Sequence, residues 1–250
     1  MITSVLFDMG GTLEDIWSDA ESERAAIETV GQMLESWDLN PASDYETLKT
    51  RINGGWDAYA KYRDASGIEL KPINIWCDYV LSEFNFPREQ LAPHCEQLAH
   101  MWECTFFHRI PRPRIQEMLA GLKGLGLKLG IISNTASLYQ VFYTLKDYGI
   151  RDYFQDVTLS SVVGLRKPGG DIFKVALHQL QSAPEECVYV GDTLSRDVIG
   201  SKRAGFACAI QIASKLTQLK DAQTKREFEP DLRIEDIYDV YPAVREMLNR

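Results

Sequence analysis

FDMGGTLED, residues 7–15, decides how the rest of the chain is read. An apolar run, Ser4-Val5-Leu6-Phe7, reads as a buried strand, and it stops on a single carboxylate, Asp8. Two glycines and a threonine follow within four residues. Glycine lets a backbone approach a ligand closely and adopt conformations other residues avoid. A carboxylate at a rigid strand end next to such a turn is held pointing at something. Taken alone, an Asp there is as often a turn or helix cap, so its meaning depends on what the chain brings beside it.

Working outward, residues 15–109 carry helical periodicity rich in Glu, Ala, Trp and Tyr. The spacing predicts helices near 19–37, 43–52, 56–64, 72–84 and 88–106, punctuated by Gly54-Gly55, Pro72 and Pro87. No strand is predicted in this block. After Pro111 and Pro113 the texture changes. LKLGIISN (127–134) is the continuous apolar run of a parallel strand covered on both faces. Helices near 114–124, 137–148, 170–181 and 195–204 alternate with strands near 156–160, at CVYVGD (187–192) and at FACAIQI (206–212). Residues 213–230 read as a polar surface loop with a helical turn, 232–234 as an edge strand and 235–249 as a last helix. Strand–helix alternation implies an α/β fold, a Rossmann-like parallel sheet sandwiched by helices. The expected division is a core of residues 1–14 and 110–250 and an inserted all-helical cap of residues 15–109, with linkers near 14–18 and 107–112.

The 250 residues are 45% hydrophobic and 25% charged, with a formal net charge of −9. Such an acidic balance argues against nucleic acid or an anionic membrane as partner. Five scattered cysteines without ligand spacing read as reduced thiols. No apolar stretch approaches membrane-spanning length, and no basic region precedes an apolar run at the start. A soluble, cytoplasmic protein, monomer or homodimer, is the expectation.

In an open α/β sheet, ligands bind where strands end. The first strand ends in Asp8, the second in Ser133-Asn134, and the strand at 187–191 in Gly191-Asp192, with Asp197 five residues on. Lys167-Pro168 lies on a loop entering a helix. Two or three carboxylates, a hydroxyl and an ammonium therefore converge on one sheet edge. Carboxylate oxygens suit Mg²⁺, and a metal can clamp a phosphoryl group against a nucleophile. The lysine, the Ser133 hydroxyl with its neighbour Asn134, and backbone N–H groups of the turn around Gly11 and Thr12 would hold the remaining phosphoryl oxygens.

FDMGGTL, IISN, RKPGGDIF and VGDTLSRD, in that order, resemble the four motifs of the haloacid dehalogenase superfamily, and the helical insert resembles its C1 cap. The resemblance covers about residues 1–14 and 110–212. It implies Asp8 as the nucleophile of an aspartyl intermediate, Ser133 and Lys167 on the phosphoryl group, and Asp192 as a Mg²⁺ ligand. Asp197 would ligate through water or orient Lys167, and the carbonyl of Gly10 would be a further metal ligand. The implied activity is hydrolysis of a small phosphorylated metabolite.

One position departs from the pattern. Phosphatases of this family usually carry a second acid two residues after the nucleophile, and here that residue is Gly10. Its carbonyl can still serve a metal, but it transfers no proton, and general acid–base help is typically worth about 10²–10⁴-fold. Four readings follow: a phosphatase whose proton comes from water, a cap residue or the substrate; a phosphonate-cleaving hydrolase with Lys49 or Lys61 as an imine-forming residue; a metal-independent 2-haloacid dehalogenase; or a binding or regulatory protein that has lost turnover. The intact GDTLSRD segment speaks against the dehalogenase. Glu14 and Asp15 are the nearest replacement acids in sequence, His108-Arg109 lies at the return to the core, and Arg51 and Trp56 could reach substrate from the cap.

Overall fold

The computed structural model describes residues 1–215, 217, 221, 224–225 and 227–249. In chain order the elements are β1 (Ser4–Phe7), β2 (Glu14–Trp17), α1 (Ala20–Ser36), α2 (Tyr45–Ser66), α3 (Pro72–Ile75), α4 (Arg88–Leu91), α5 (Cys95–Thr105) and β3 (His108–Pro111). There follow α6 (Ile115–Gly124), β4 (Lys128–Ser133), α7 (Gln140–Asp147), β5 (Asp156–Leu159), α8 (Ser160–Val163) and α9 (Gly170–Leu180). The chain continues with β6 (Cys187–Gly191), α10 (Ile199–Arg203), β7 (Cys208–Ile212), β8 (Leu232–Ile234) and α11 (Val240–Leu248).

Six strands form one parallel sheet in the order β5-β4-β1-β6-β7-β8. β1 lies between β4 and β6, side chains of the helical layers pack on both its faces, and all four of its residues are buried. Side chains alternate across the sheet. Val5 and Phe7 enter one core beneath α6, α7 and α11, while Leu6 enters the other beneath α9. Because β4, β1 and β6 run parallel and side by side, their C-terminal ends deliver Ser133, Asp8 and Asp192 to one rim. The α/β expectation, a parallel sheet between helical layers, is what the chain forms. The helical turn expected in 213–230 falls partly outside the described residues.

Between β2 and β3 the chain is helical and has a hydrophobic core of its own, centred on Ile27, Leu34, Ile52, Tyr59, Trp76 and Leu98. Two sequence expectations need correction here. Gly54-Gly55 does not break a helix, because α2 runs unbroken from Tyr45 to Ser66. A Cβ on residue 55 would lie 2.5 Å from the Val80 Cα, so this glycine is a notch that lets the following π-helical turn, Trp76–Val80, pack against α2. The second correction concerns the linkers. Residues 14–17 and 108–111 are strands, and β2 pairs antiparallel with β3, Glu14 opposite Pro111 and Trp17 opposite His108. Strands of four residues are too short to show period-2 alternation.

The helical block is tied down on the core. The Glu96 carboxylate accepts hydrogen bonds from Ser137 Oγ at 2.6 Å and the Leu138 N–H at 2.9 Å, just ahead of α7. Glu69, buried between the two parts, accepts from Ser160 Oγ at 2.7 Å and from Tyr59 and Arg166.

Candidate active site

Asp8 is fixed by its own strand end. Its N–H donates to the Val190 carbonyl at 2.9 Å, which continues the β1–β6 ladder one residue past the strand. Its carboxylate lies 2.7 Å from the Lys167 ammonium. That ammonium also meets Asp197 Oδ1 at 2.7 Å and donates to the Ile132 carbonyl at 2.9 Å and the Tyr189 hydroxyl at 3.0 Å. Lys167 is buried, and a buried ammonium is tolerable only when its charge and donors are met. Here two carboxylates and two neutral oxygens meet them.

Asp197 sits in a π-helical turn, Leu194–Val198. Burial pushes its pKa up, but the Lys167 and Arg196 cations and the hydrogen bonds from Lys167 and Thr193 outweigh burial and hold it below the ordinary carboxylate value. Its Oδ1 faces Lys167 and Tyr189, and its Oδ2 accepts from the Thr193 N–H at 3.0 Å and from the Thr193 hydroxyl. Both oxygens are engaged, so Asp197 positions Lys167 first and could meet a metal only through water or by giving up a donor.

Carboxylate oxygens of Asp8, Asp192 and Asp197 nonetheless lie within 4.8 Å of one another. Three hard anionic donors on one rim are the chemistry a divalent Mg²⁺ requires. The residues therefore fit the ion, with Asp8 and Asp192 better disposed than Asp197. Asp192 Oδ2 accepts from Ser214 Oγ at 2.7 Å, which orients the carboxylate. Gly11 packs so tightly behind it that a side chain there would collide with Asp192, and its φ of +93° is one that L residues rarely adopt.

Asp8 and Lys167 lie on the floor of a cavity of about 600 Å³ beneath the helical block. Asp8, Gly10, Ser133, Asn134 and Lys167 line it, with Trp56, Trp102 and Phe106 on the opposite wall. Other expected contacts fall elsewhere. The Asn134 carboxamide is clamped on the Lys167 backbone, donating to its carbonyl and accepting from its N–H, both at 3.0 Å. This clamp positions the lysine, with one carboxamide N–H and one lone pair spent on it. The Gly11 N–H is spent on the Glu14 carbonyl at 2.9 Å, and the Thr12 side chain is fully buried, so neither residue lines the cavity. Arg51 stands outside it as well, beside Glu83 at 3.8 Å and over the Phe84 ring, because its helix turns that face toward solvent.

The chain matches the haloacid dehalogenase-like hydrolase family over residues 2–205. It belongs to the haloacid dehalogenase-like hydrolases. The expectation of a hydrolytic enzyme is met. Among its relatives, a glyceraldehyde 3-phosphate phosphatase of Methanothermobacter thermautotrophicus is 34% identical over 219 residues, 87% of this chain and 88% of that one. One of Methanopyrus kandleri is 27% identical over 251 residues, 99% of each chain. The crystal structure of a 2-haloacid dehalogenase from Pseudomonas syringae shares the fold with a TM-score of 0.70 at 18% identity, covering 99% of this chain and 100% of that one.

Gly10 is bordered by the side chains of Ile16 and Glu14. Glu14 is fully buried, and burial raises its pKa against the opposing charge of Arg109. Arg109 pairs with Glu14 and, at 2.6 Å, with Glu103, while the Tyr148 hydroxyl donates to Glu14 at 2.8 Å. Glu14 thus does not face the cavity as a free acid. It holds Arg109, which does line it. Asp15 is exposed toward Arg112, at 3.2 Å. The sequence showed Glu14 and Arg109 as neighbours of the two linkers but gave no sign that they pair, because only the β2–β3 register puts them together. Arg63, Arg166 and Arg196 also line the cavity. None has a motif of its own, and Arg166 and Arg196 lie hidden beside the motif residues Lys167 and Asp197.

Proposed function

We propose that the chain is a Mg²⁺-dependent phosphatase that cleaves small phosphorylated metabolites through a phospho-Asp8 intermediate. Residues 18–107 would act as a cap over a core formed by the two flanking segments. The observation that carries the reading is the Lys167 ammonium held 2.7 Å from both Asp8 and Asp197 at the floor of a partly open cavity. The phosphatase names of the relatives support it.

In this reading Asp8 attacks phosphorus, the bond to the leaving oxygen breaks, and an acyl phosphate forms on the Asp8 carboxylate. Water then attacks that phosphorus and returns the free carboxylate with inorganic phosphate. Lys167 and Ser133 hold the non-bridging oxygens, and Asp197 with Asn134 keeps Lys167 in place. Bound by Asp8, Asp192 and the Gly10 carbonyl, Mg²⁺ would supply positive charge opposite the transferring group. Trp56, Trp102 and Phe106 exclude water from above. With Gly10 no protein acid stands at the usual place for the leaving oxygen, so substrates with acidic leaving groups, acyl phosphates and phosphoanhydrides, are cleaved best.

Phosphate release from acetyl phosphate and an aryl phosphate, measured with Mg²⁺, with EDTA and after Mg²⁺ is restored, tests the reading. Activity that survives chelation removes the metal from it, and absence of release from every phosphate leaves a binding protein.

Gly10→Asp is expected to raise the rate by roughly 10-fold or more on alkyl phosphates and to leave acyl phosphates almost unchanged, because only poor leaving groups need the proton. There is room for the change: the nearest atoms to a Cβ at residue 10 are Ile16 side-chain carbons at 3.5 and 3.6 Å and Glu14 Oε1 at 3.8 Å. Steady-state rates across a series of leaving groups read it out. An equal gain, or none, for all of them means the missing acid is not what limits this enzyme.

A further inference from the structure

The cavity holds more cationic charge than a single phosphoryl group uses. Lys167 is committed to Asp8 and Asp197, and Arg109 to Glu14 and Glu103. Three further guanidinium groups line the same space, Arg63 from the C-terminal end of α2, Arg166 from the loop before α9 and Arg196 from the turn after β6.

Their carboxylate partners are distant, shared, or not in direct ion-pair contact. Arg63 Nε is buried without a hydrogen-bond partner among the described residues; its nearest carboxylate is that of Asp64, 3.6 Å away and largely exposed. Arg166 is buried and pairs with Glu69, but that carboxylate also serves Tyr59 and Ser160. Arg196 has no ion pair among the described residues, and the charges acting on it are those of Asp197, Asp8, Asp192 and Asp221. Burial and then the like charges of Arg63 and Arg196 work against Arg166, and its pKa is lowered despite Glu69. The three groups therefore share one region of field, which runs from beside the nucleophile to the cap. Of the carboxylates on the cavity wall, Glu23 is tied to Lys49 and Asn53, each within 2.9 Å, and Asp57 is exposed to solvent.

We infer that Arg63, Arg166 and Arg196 form a second anion subsite, which selects phosphorylated substrates that carry another negative group, a carboxylate or a second phosphoryl, a short carbon spacer away from the one cleaved. Guanidinium forks suit both groups, since each can accept two parallel N–H donors. A buried Nε with nothing to donate to costs free energy until an acceptor arrives. The second anion supplies it and is desolvated in a place already prepared. This inference rests on the phosphatase reading for which group is cleaved, but the subsite itself is tested by binding.

Three unhydrolysable phosphonates separate the possibilities: propylphosphonate, 3-phosphonopropionate and propane-1,3-bisphosphonate. Each is titrated calorimetrically into the Mg²⁺-loaded full chain, wild type and Arg63→Gln, with circular dichroism checking the fold. The wild type is expected to bind at least one of the doubly anionic compounds about 10-fold or more tighter than propylphosphonate, a gain in the range of one charge-assisted hydrogen bond. Which one gains identifies the second group. In Arg63→Gln that preference should fall to near one, and in Arg63→Glu, a second variant at the same site, below one. Equal affinity of all three compounds for the wild type overturns the inference, as does a preference that survives both substitutions. A preference found by binding in a protein that releases no phosphate from any ester would keep the subsite and sink the phosphatase reading instead.

Discussion

Asp8→Asn is expected to lower phosphate release by on the order of 10⁴-fold or more, the scale seen when a nucleophile is removed from a site whose other parts remain. Asparagine keeps the shape of the side chain and the backbone hydrogen bond to Val190, so the fold should survive. Lys167 retains Asp197, the Ile132 carbonyl and the Tyr189 hydroxyl. What disappears is the carboxylate proposed to form the acyl phosphate. Acid-quenched turnover with radiolabelled substrate should show label on the wild-type protein and none on the variant. A variant within about 10-fold of wild type would remove Asp8 from the role of nucleophile.

Lys167→Met strikes stability and activity together. The wild-type ammonium separates two buried carboxylates, Asp8 and Asp197. Removing one member of a buried charge network leaves the others unmatched, at a cost of about 3–5 kcal/mol. For a chain of this length that corresponds to a fall in Tm of roughly 10 °C, measurable in EDTA by thermal unfolding. The pH dependence follows from Asp197. Its folded pKa lies below the ordinary value of 3.8, so its contribution in the wild type is complete above that value and is lost as pH falls through the lower folded one. Without Lys167 the carboxyl should take up a proton at higher pH, and the gap between variant and wild type should narrow as pH drops toward 4. A variant as stable as wild type at pH 7, or a gap that widens with acid, contradicts this account. Activity should fall by at least about 10³-fold, since one preorganised donor to a developing charge is worth about 10²–10³ and the partner carboxylates are disturbed as well.

The parallel sheet was legible because LKLGIISN and CVYVGD are continuous apolar runs of strand length, each ending in a polar residue. The convergence of Asp8, Ser133, Lys167, Asp192 and Asp197 could be read for the same reason: each sits at a strand end or on a loop beside one, and adjacent parallel strands bring those ends together. What the sequence hid depends on distance along the chain. Glu14 and Arg109 lie 95 positions apart and meet only because β2 pairs with β3. Gly55 was misread as punctuation because its reason, contact with Val80, lies in another part of the cap. Gly11 and Asn134 were expected at the phosphoryl group, but the hydrogen bonds that tie the Gly11 N–H to Glu14 and the Asn134 carboxamide to Lys167 appear only with the fold.

The paired strands β2 and β3 carry every covalent connection between the two halves of the molecule. Independent tethers would let the upper half tumble, whereas a laddered ribbon twists far more readily than it shears. The same ribbon begins at Glu14, whose carbonyl secures the Gly11 amide three residues after Asp8 and whose carboxylate grips Arg109. Torsion of that strap would thus register at the turn behind Asp8.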